Sequence, residues 1–233
     1  MRTKTFLFTA AVLAAGVGAS MAQSVFSVNA VGYVNVSLKA GYNLISNPLN
    51  GTNNNINTII PSAPGDSLAF RWDAVAQGFS QADTYFDVQD PALNGWYDGV
   101  PSKSSTVINP GEGFFIYSPT ATTVTFVGDV PQGPLTNAVP ALFSFKASIV
   151  PQSAPLPSIG FPGVGDMLYQ AWDATGQSYA QALTYFEVPS DPSLNGFYDG
   201  GGAKVDPTPA VAEGFLIYNP GPSLNWGRTF SVN

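Results

Sequence analysis

The sequence predicts an all-β protein: two tandem, similar β-sandwich or small-barrel units in close contact. Three observations carry this. Gly (24) and Pro (20) are abundant while charged residues make up only 10% of the chain, a composition that favours short strands joined by tight turns over helices. Hydrophobic residues account for 45%, too many for a disordered chain. The second half of the chain repeats the first.

The repeat is read by laying the chain against itself. Gly65-Asp66, Trp72-Asp73, Thr84-Tyr85-Phe86-Asp87, "DPALNGWYDG" (Asp90 to Gly99) and "EGFFIYSP" (Glu112 to Pro119) are answered in the second half. The answering segments are Gly165-Asp166, Trp172-Asp173, Thr184-Tyr185-Phe186-Glu187, "DPSLNGFYDG" (Asp191 to Gly200) and "EGFLIYNP" (Glu213 to Pro220). The offset is 100 up to Val88/Val188 and 101 afterwards, so one inserted residue separates the copies.

In chain order, Arg2 and Lys4 precede an apolar run from Phe6 to Ala19, and Ser20-Met21-Ala22 forms a small-x-small cleavage pattern. Residues 1–22 are therefore expected to be a removable export leader, because the run is too short for a membrane span. No later segment has the length and apolarity of a span. The first β unit is placed at 23–130 and the second at 131–233. The Pro- and Gly-containing stretch from Pro131 to Pro140 between them is too short for a free linker.

Val34, Val36 and Leu38 alternate with Asn35, Ser37 and Lys39, the period of a half-buried strand. Similar runs follow at Tyr42 to Ser46, Ser67 to Trp72, Phe79 to Phe86, Gly113 to Tyr117 and Thr122 to Val127, with equivalents in the second copy. Asn55 to Ile60, ended by Pro61, predicts a short helix with a counterpart near Ser158 to Phe161. The entrances are expected to differ, because Gly41 permits a turn where the second copy has Leu142. Phe26-Ser27-Val28-Asn29 recurs as Phe230 to Asn233, and Thr125-Phe126-Val127 resembles Thr229-Phe230. Each unit is thus expected to be closed by a strand of this type, with deletion of Thr229 to Asn233 strongly destabilising.

The chain has no histidine and no cysteine. Triads built on imidazole and histidine-ligated metal centres are therefore excluded. Without the leader's two cations the net charge moves from −7 to −9, and the remaining basic residues are scattered. Nucleic acid and anionic membrane are poor partners for such a chain.

Six acid pairs lie in repeat register: Asp66/Asp166, Asp73/Asp173, Asp87/Glu187, Asp90/Asp191, Asp98/Asp199 and Glu112/Glu213. Two facing carboxylates could hydrolyse glycosides, and a dyad from two halves could cleave peptides. Neither copy carries the Asp-Thr-Gly or Asp-Ser-Gly of such a dyad, so no enzyme and no catalytic residue is expected. Glu112 and Glu213 read as strand-entry carboxylates that accept loop N–H groups, and Trp72 and Trp172 as core or rim aromatics.

The decamer admits three readings. Asp-Pro and Asn-Gly supply turn chemistry that returns aromatics to the core. If its loops are exposed, Trp96, Tyr97, Phe197 and Tyr198 offer flat faces to a glycan or a partner chain. In the third, calcium is the one cofactor the residues suggest: Asp87, Asp90, Asn94 and Asp98, repeated as Glu187, Asp191, Asn195 and Asp199, bring hard oxygens together beside glycine.

The combination of "SVNAVGYVNV", "GYNLISNPLN", "NPGEGFF", "VTFVGDVPQG" and a terminal "RTFSVN" resembles a group of secreted two-repeat proteins from verrucomicrobial and related bacteria. The resemblance spans nearly the whole mature chain and implies export and a duplicated build, with no activity and no functional residues attached. The expectation is a secreted, extracellular or periplasmic, non-enzymatic structural or adhesive cell-surface protein, with glycans or like chains as partners. A carbohydrate-binding module is the alternative.

Overall fold

The computed structural model describes residues 30–99 and 101–232. The leader reading and Phe26 to Asn29 therefore lie outside the described residues. The first unit contains β1 (Val31–Leu38), β2 (Gly41–Ser46), the helical turn α1 (Ile56–Ile59), β3 (Leu68–Asp73), β4 (Gly78–Phe79), β5 (Asp83–Phe86), β6 (Gly95–Tyr97), β7 (Gly113–Ser118) and β8 (Thr122–Asp129). The second contains β9 (Gly133–Val139), β10 (Leu142–Lys146), a 3-10 turn (Leu156–Ile159), β11 (Leu168–Asp173), β12 (Ser178–Tyr179), β13 (Leu183–Phe186), a 3-10 turn (Pro192–Leu194), β14 (Gly196–Tyr198), β15 (Lys204–Val205), β16 (Phe215–Asn219) and β17 (Leu224–Phe230).

The fold is all-β, and the two units repeat one topology. The first has an antiparallel sheet in the order β2-β7-β3-β5-β6, and the second one in the order β10-β16-β11-β13-β14-β15. A two-stranded ribbon covers each sheet, β1 with β8 and β9 with β17. Neither sheet closes into a barrel, so the sandwich-like arrangement is the one formed.

Alternation decides the core. On β3 and β7, Ala69, Phe114 and Ile116 point inward to meet Val124 and Phe126 of the ribbon and Ile56, Ile59 and Ile60 of the helical turn. Asn55 caps that turn by accepting from the Asn57 N–H. In the second unit Tyr169, Phe197, Phe215 and Ile217 meet Val139, Trp226, Leu156 and Ile159. Each core carries one fully buried indole that donates to the carbonyl of the helical turn. Trp96 on β6 donates to Ile60, and Trp226 on β17 donates to Ile159, so the two cores fill one space from different strands.

Each unit is indeed closed by its last strand pairing with its first. The motif that suggested this is out of register, however: Leu38 faces Thr122 and its repeat mate Val139 faces Leu224, which aligns Phe126 with Arg228 rather than Phe230. Most of the closing strand, with Trp226, lies upstream of Thr229, so deletion from Thr229 removes only its last two ladder positions. The entrances do not differ as expected. Gly41 has φ of 98° and Leu142 has φ of 63°, so both occupy the left-handed region and a leucine there carries the strain glycine avoids. Among the described residues no helix is long and apolar enough to cross a membrane.

Candidate functional site at the unit junction

The faces of the sheets turned away from the two cores are also apolar. Alternation places Tyr42 and Leu44 on β2, Phe70 and Trp72 on β3, and Phe115 and Tyr117 on β7 on this second face. The second unit matches them with Phe143, Phe145, Trp172, Leu216 and Tyr218. Leu44, Phe115 and Phe145 are buried here as a third core shared by both units, with Trp72 and Trp172 packed on it. Phe145 meets Trp72 edge to face at 5.4 Å and stacks on Phe79 at 5.6 Å, while Phe115 meets Trp172 at 5.0 Å.

A reciprocal clasp locks this face. The Trp72 indole N–H donates to the Phe143 carbonyl at 2.8 Å, and Gln77 brackets the same residue, donating to its carbonyl and accepting from its N–H, both at 3.0 Å. The second unit returns the arrangement: Trp172 donates to the Tyr42 carbonyl at 2.9 Å, and Gln177 donates to that carbonyl at 3.0 Å and accepts from the Tyr42 N–H at 2.7 Å.

The hairpins behind the clasp explain the Trp-Asp repeat. Asp73 accepts from the Val75 and Ala76 N–H groups, Asp173 accepts from Thr175, and Gln77 and Gln177 both sit at φ of 52°. These N–H donors, Ala76 foremost for Asp73 and Gly176 for Asp173, hold both carboxyls below the ordinary carboxylate range. The turn thus aims the glutamine across the junction.

The edge strands β2 and β10 are covered by the opposite unit. Ser46 N–H donates to Ala212 and Gly214 N–H to Leu44, while Ala147 N–H donates to Gly111. Ile45 pairs with Glu213 and Lys146 with Glu112. Exposed edges that would invite further strands are removed this way.

Two hollows flank the clasp. Tyr42, Phe70, Phe79, Phe115, Trp172 and Tyr179 line an apolar groove of about 320 Å³. Arg71, Glu112, Ser144 and Lys146 line a narrower cavity of about 100 Å³, walled by Trp72, Ile108, Phe114 and Phe145. In that cavity Arg71 lies 3.9 Å from Glu112, which also accepts from the Asn109 N–H at 2.9 Å. Lys146 is 7% exposed and occupies the strand position that Ile45 fills in the first unit. Burial pushes its ammonium down to about 8, with Glu112 opposing the shift. The Ser144 hydroxyl is buried without a hydrogen-bond partner among the described residues.

The decamers sit elsewhere. Trp96 is 0% and Phe197 1% exposed, so neither can offer a face to a ligand. They belong to the two cores, because the Asn-Gly turn returns them to the inner side of the sheet, and truncating Trp96 would cost the fold about 3–5 kcal/mol. Tyr97 and Tyr198 are half-buried and donate to the carbonyls of Leu93 and Leu194. Tyr97 also lines a shallow apolar hollow with Phe86, Val88 and Leu93.

The oxygens read as calcium ligands have turn duties. Asn94 accepts from the Val88 N–H and donates to Asp87, while Asp90 accepts from Ala92. Asn195 accepts from Val188, Asp191 from Ser193, Asp199 from Gly201 and Ala203, and Glu187 from Gly165. Asp98 presents its backbone carbonyl to Gln81, and its buried Oδ1 has no partner among the described residues. Among the described residues no three acidic side chains gather as a metal centre would require. Glu112 and Glu213 do cap their loops, the second by accepting from Ala210 at 2.7 Å.

Comparison with protein-family models, with curated proteins and with solved structures finds no match to this chain.

Proposed function

We propose that the chain is an exported, non-enzymatic structural or adhesive protein of the cell surface or extracellular space, in which two β units act as one rigid acidic body. The reciprocal clasp between Trp72, Gln77 and Phe143 and between Trp172, Gln177 and Tyr42 carries this reading. It spends the repeated Trp72/Trp172 and Gln77/Gln177 pairs on joining the units, beside the two edge strands that a hinge would expose. The repeated carboxylates support the same reading. Asp73, Asp90, Glu112 and their mates hold backbone N–H groups of turns, which is scaffold work. The chain is tested in the cell that makes it. Protease added outside should degrade the chain, mass spectrometry should find it beginning at Gln23, and a strain lacking it should lose surface attachment. A protected chain that keeps residues 1–22 would overturn the reading.

Glycan binding is supported by a different surface from the decamer. The junction groove presents Tyr42, Phe79 and Tyr179 at 37–48% exposure, rings wide enough to meet a sugar face. Glycan-array binding lost in Phe79→Ala would favour this reading, and an array without signal would remove it.

A further inference from the structure

The junction is built twice, and its two halves differ at one place. The cavity holding Arg71, Glu112, Ser144 and Lys146 has a repeat mate lined by Asn43, Ile45 and Glu213. The glutamate is common to both and caps its loop in both, by accepting from Asn109 or from Ala210. The cations are not common: Ala171 stands at the position of Arg71, and Ile45 at that of Lys146. The second cavity shows that the scaffold needs neither cation, for the loop, the strand pairing and the clasp form there without them. Lys103 and Lys204 are cations that the scaffold does repeat, donating to the carbonyls of Asn94 and Ser193. Arg71 and Lys146 are unrepeated, and they converge.

Placing an ammonium in a largely dry position is unfavourable unless an opposite charge is close. Glu112 supplies one negative charge against two positive ones, and Lys146 forms no ion pair of its own among the described residues. The lining is therefore one negative charge short of neutrality, with Asp73 and Asp83 acting on Arg71 from outside it. Its donors suit a carboxylate: a planar guanidinium that matches two oxygens, an ammonium, and the unpartnered Ser144 hydroxyl. The volume of about 100 Å³ is roughly that of three water molecules, and the Trp72, Ile108 and Phe145 walls suit a short apolar tail.

We propose that this cavity is a binding site for a small monocarboxylate, held between Arg71 and Lys146 with Ser144 as a further donor, at one of the two repeated positions only. The charge balance selects a monoanion over a dianion, and the single unrepeated cation pair fixes one site per chain.

The test is a nuclear magnetic resonance titration of the mature chain with acetate and propionate, against chloride at matched ionic strength. Saturable amide shifts confined to residues 70–74, 111–114 and 144–147, with a stoichiometry of one, are expected. Arg71→Ala and Lys146→Ile place at each position the residue the other unit already accommodates, and their spectra report that the chain remains folded. Each should weaken binding about tenfold or more. Glu112→Gln removes the competing carboxylate and should tighten binding about tenfold, whereas Glu213→Gln should change nothing. A role confined to an internal ion pair gives no saturable shift. Equal shifts with chloride mean an adventitious ion only. Either result, or an affinity unaffected by Lys146→Ile or by Glu112→Gln, overturns the proposal.

Discussion

Lys146 makes the stability of this chain depend on pH in an unusual direction. Its folded-state pKa of about 8 lies below its ordinary value of 10.5. The folded state therefore resists the proton that the unfolded chain binds freely. Below about pH 8 both states carry the charge and the whole burial penalty is present. Between about pH 8 and 10.5 the unfolded chain holds more protons than the folded one, so stability rises with pH. A shift of this size corresponds to at most about 3–4 kcal/mol, at about 1.4 kcal/mol per pKa unit. The rise is cut off by three partly or fully desolvated phenols. Desolvation raises Tyr169 and Tyr185 and pushes Tyr179 up to about 12, so above roughly pH 10 the unfolded chain loses phenolic protons that the folded chain keeps, and stability falls. Urea unfolding from neutral to about pH 10.5 should give a maximum in the range of about pH 9–10 for the native sequence. Lys146→Ile should be more stable at neutral pH and should lack the rising limb. A flat native profile, or a rising limb that survives Lys146→Ile, would refute this reasoning.

Three further outcomes follow from the same packing. Asp83 is 2% exposed and raised by desolvation against the hydroxyls of Ser104 and Thr106, while its repeat mate is Leu183; Asp83→Leu should stabilise the chain by about 1–3 kcal/mol in urea at neutral pH. Gln77→Ala and Gln177→Ala should each cost about 2 kcal/mol in the same assay, since the clasps are equivalent; a large loss from one and none from the other would contradict that equivalence. Thermal melts with calcium and with chelator should coincide, because Asn94, Asn195, Asp90 and Asp191 already hold loop N–H groups; a rise in midpoint with calcium would show that these loops rearrange around the ion.

Much of the fold is legible in the sequence because its signals are local. The alternation at Val34 to Leu38, the Asn55 cap and the repeated turns need only near neighbours to act. The junction is assembled from segments far apart in the chain, so no single window contains it. One sign of it was present: "GFFIYS" on β7 is apolar at consecutive positions rather than alternate ones, as befits a strand covered on both faces. A second was available in the cations: in repeat register Lys103 matches Lys204, which leaves Lys39, Arg71, Lys146 and Arg228 unmatched, and Arg71 and Lys146 of these line one cavity. Of the decamer's readings, the turn that returns aromatics to the core is the one formed for Trp96 and Phe197; the sequence left the exposed reading open because Asn-Gly turns and aromatics mark an exposed loop and a return to the core equally well. Trp96 and Phe197 lie on the inner side of their strands, with the half-buried Tyr97 and Tyr198 on the opposite side. At the entrances Gly41 and Leu142 adopt the same hand, because the edge pairings to Ser118 and Asn219 hold the backbone whichever side chain it carries.

The union of the two units is tested most directly by calorimetric unfolding of the mature chain at neutral pH. With the edge strands shared and the clasps reciprocal, neither unit has a complete surface without the other. A single transition is predicted, with the calorimetric enthalpy equal to the van't Hoff enthalpy for the whole chain. In the doubly altered Gln77→Ala, Gln177→Ala chain that ratio should rise as the units begin to melt separately. Two resolved transitions in the native chain, each carrying about half the enthalpy, would contradict the single-body account.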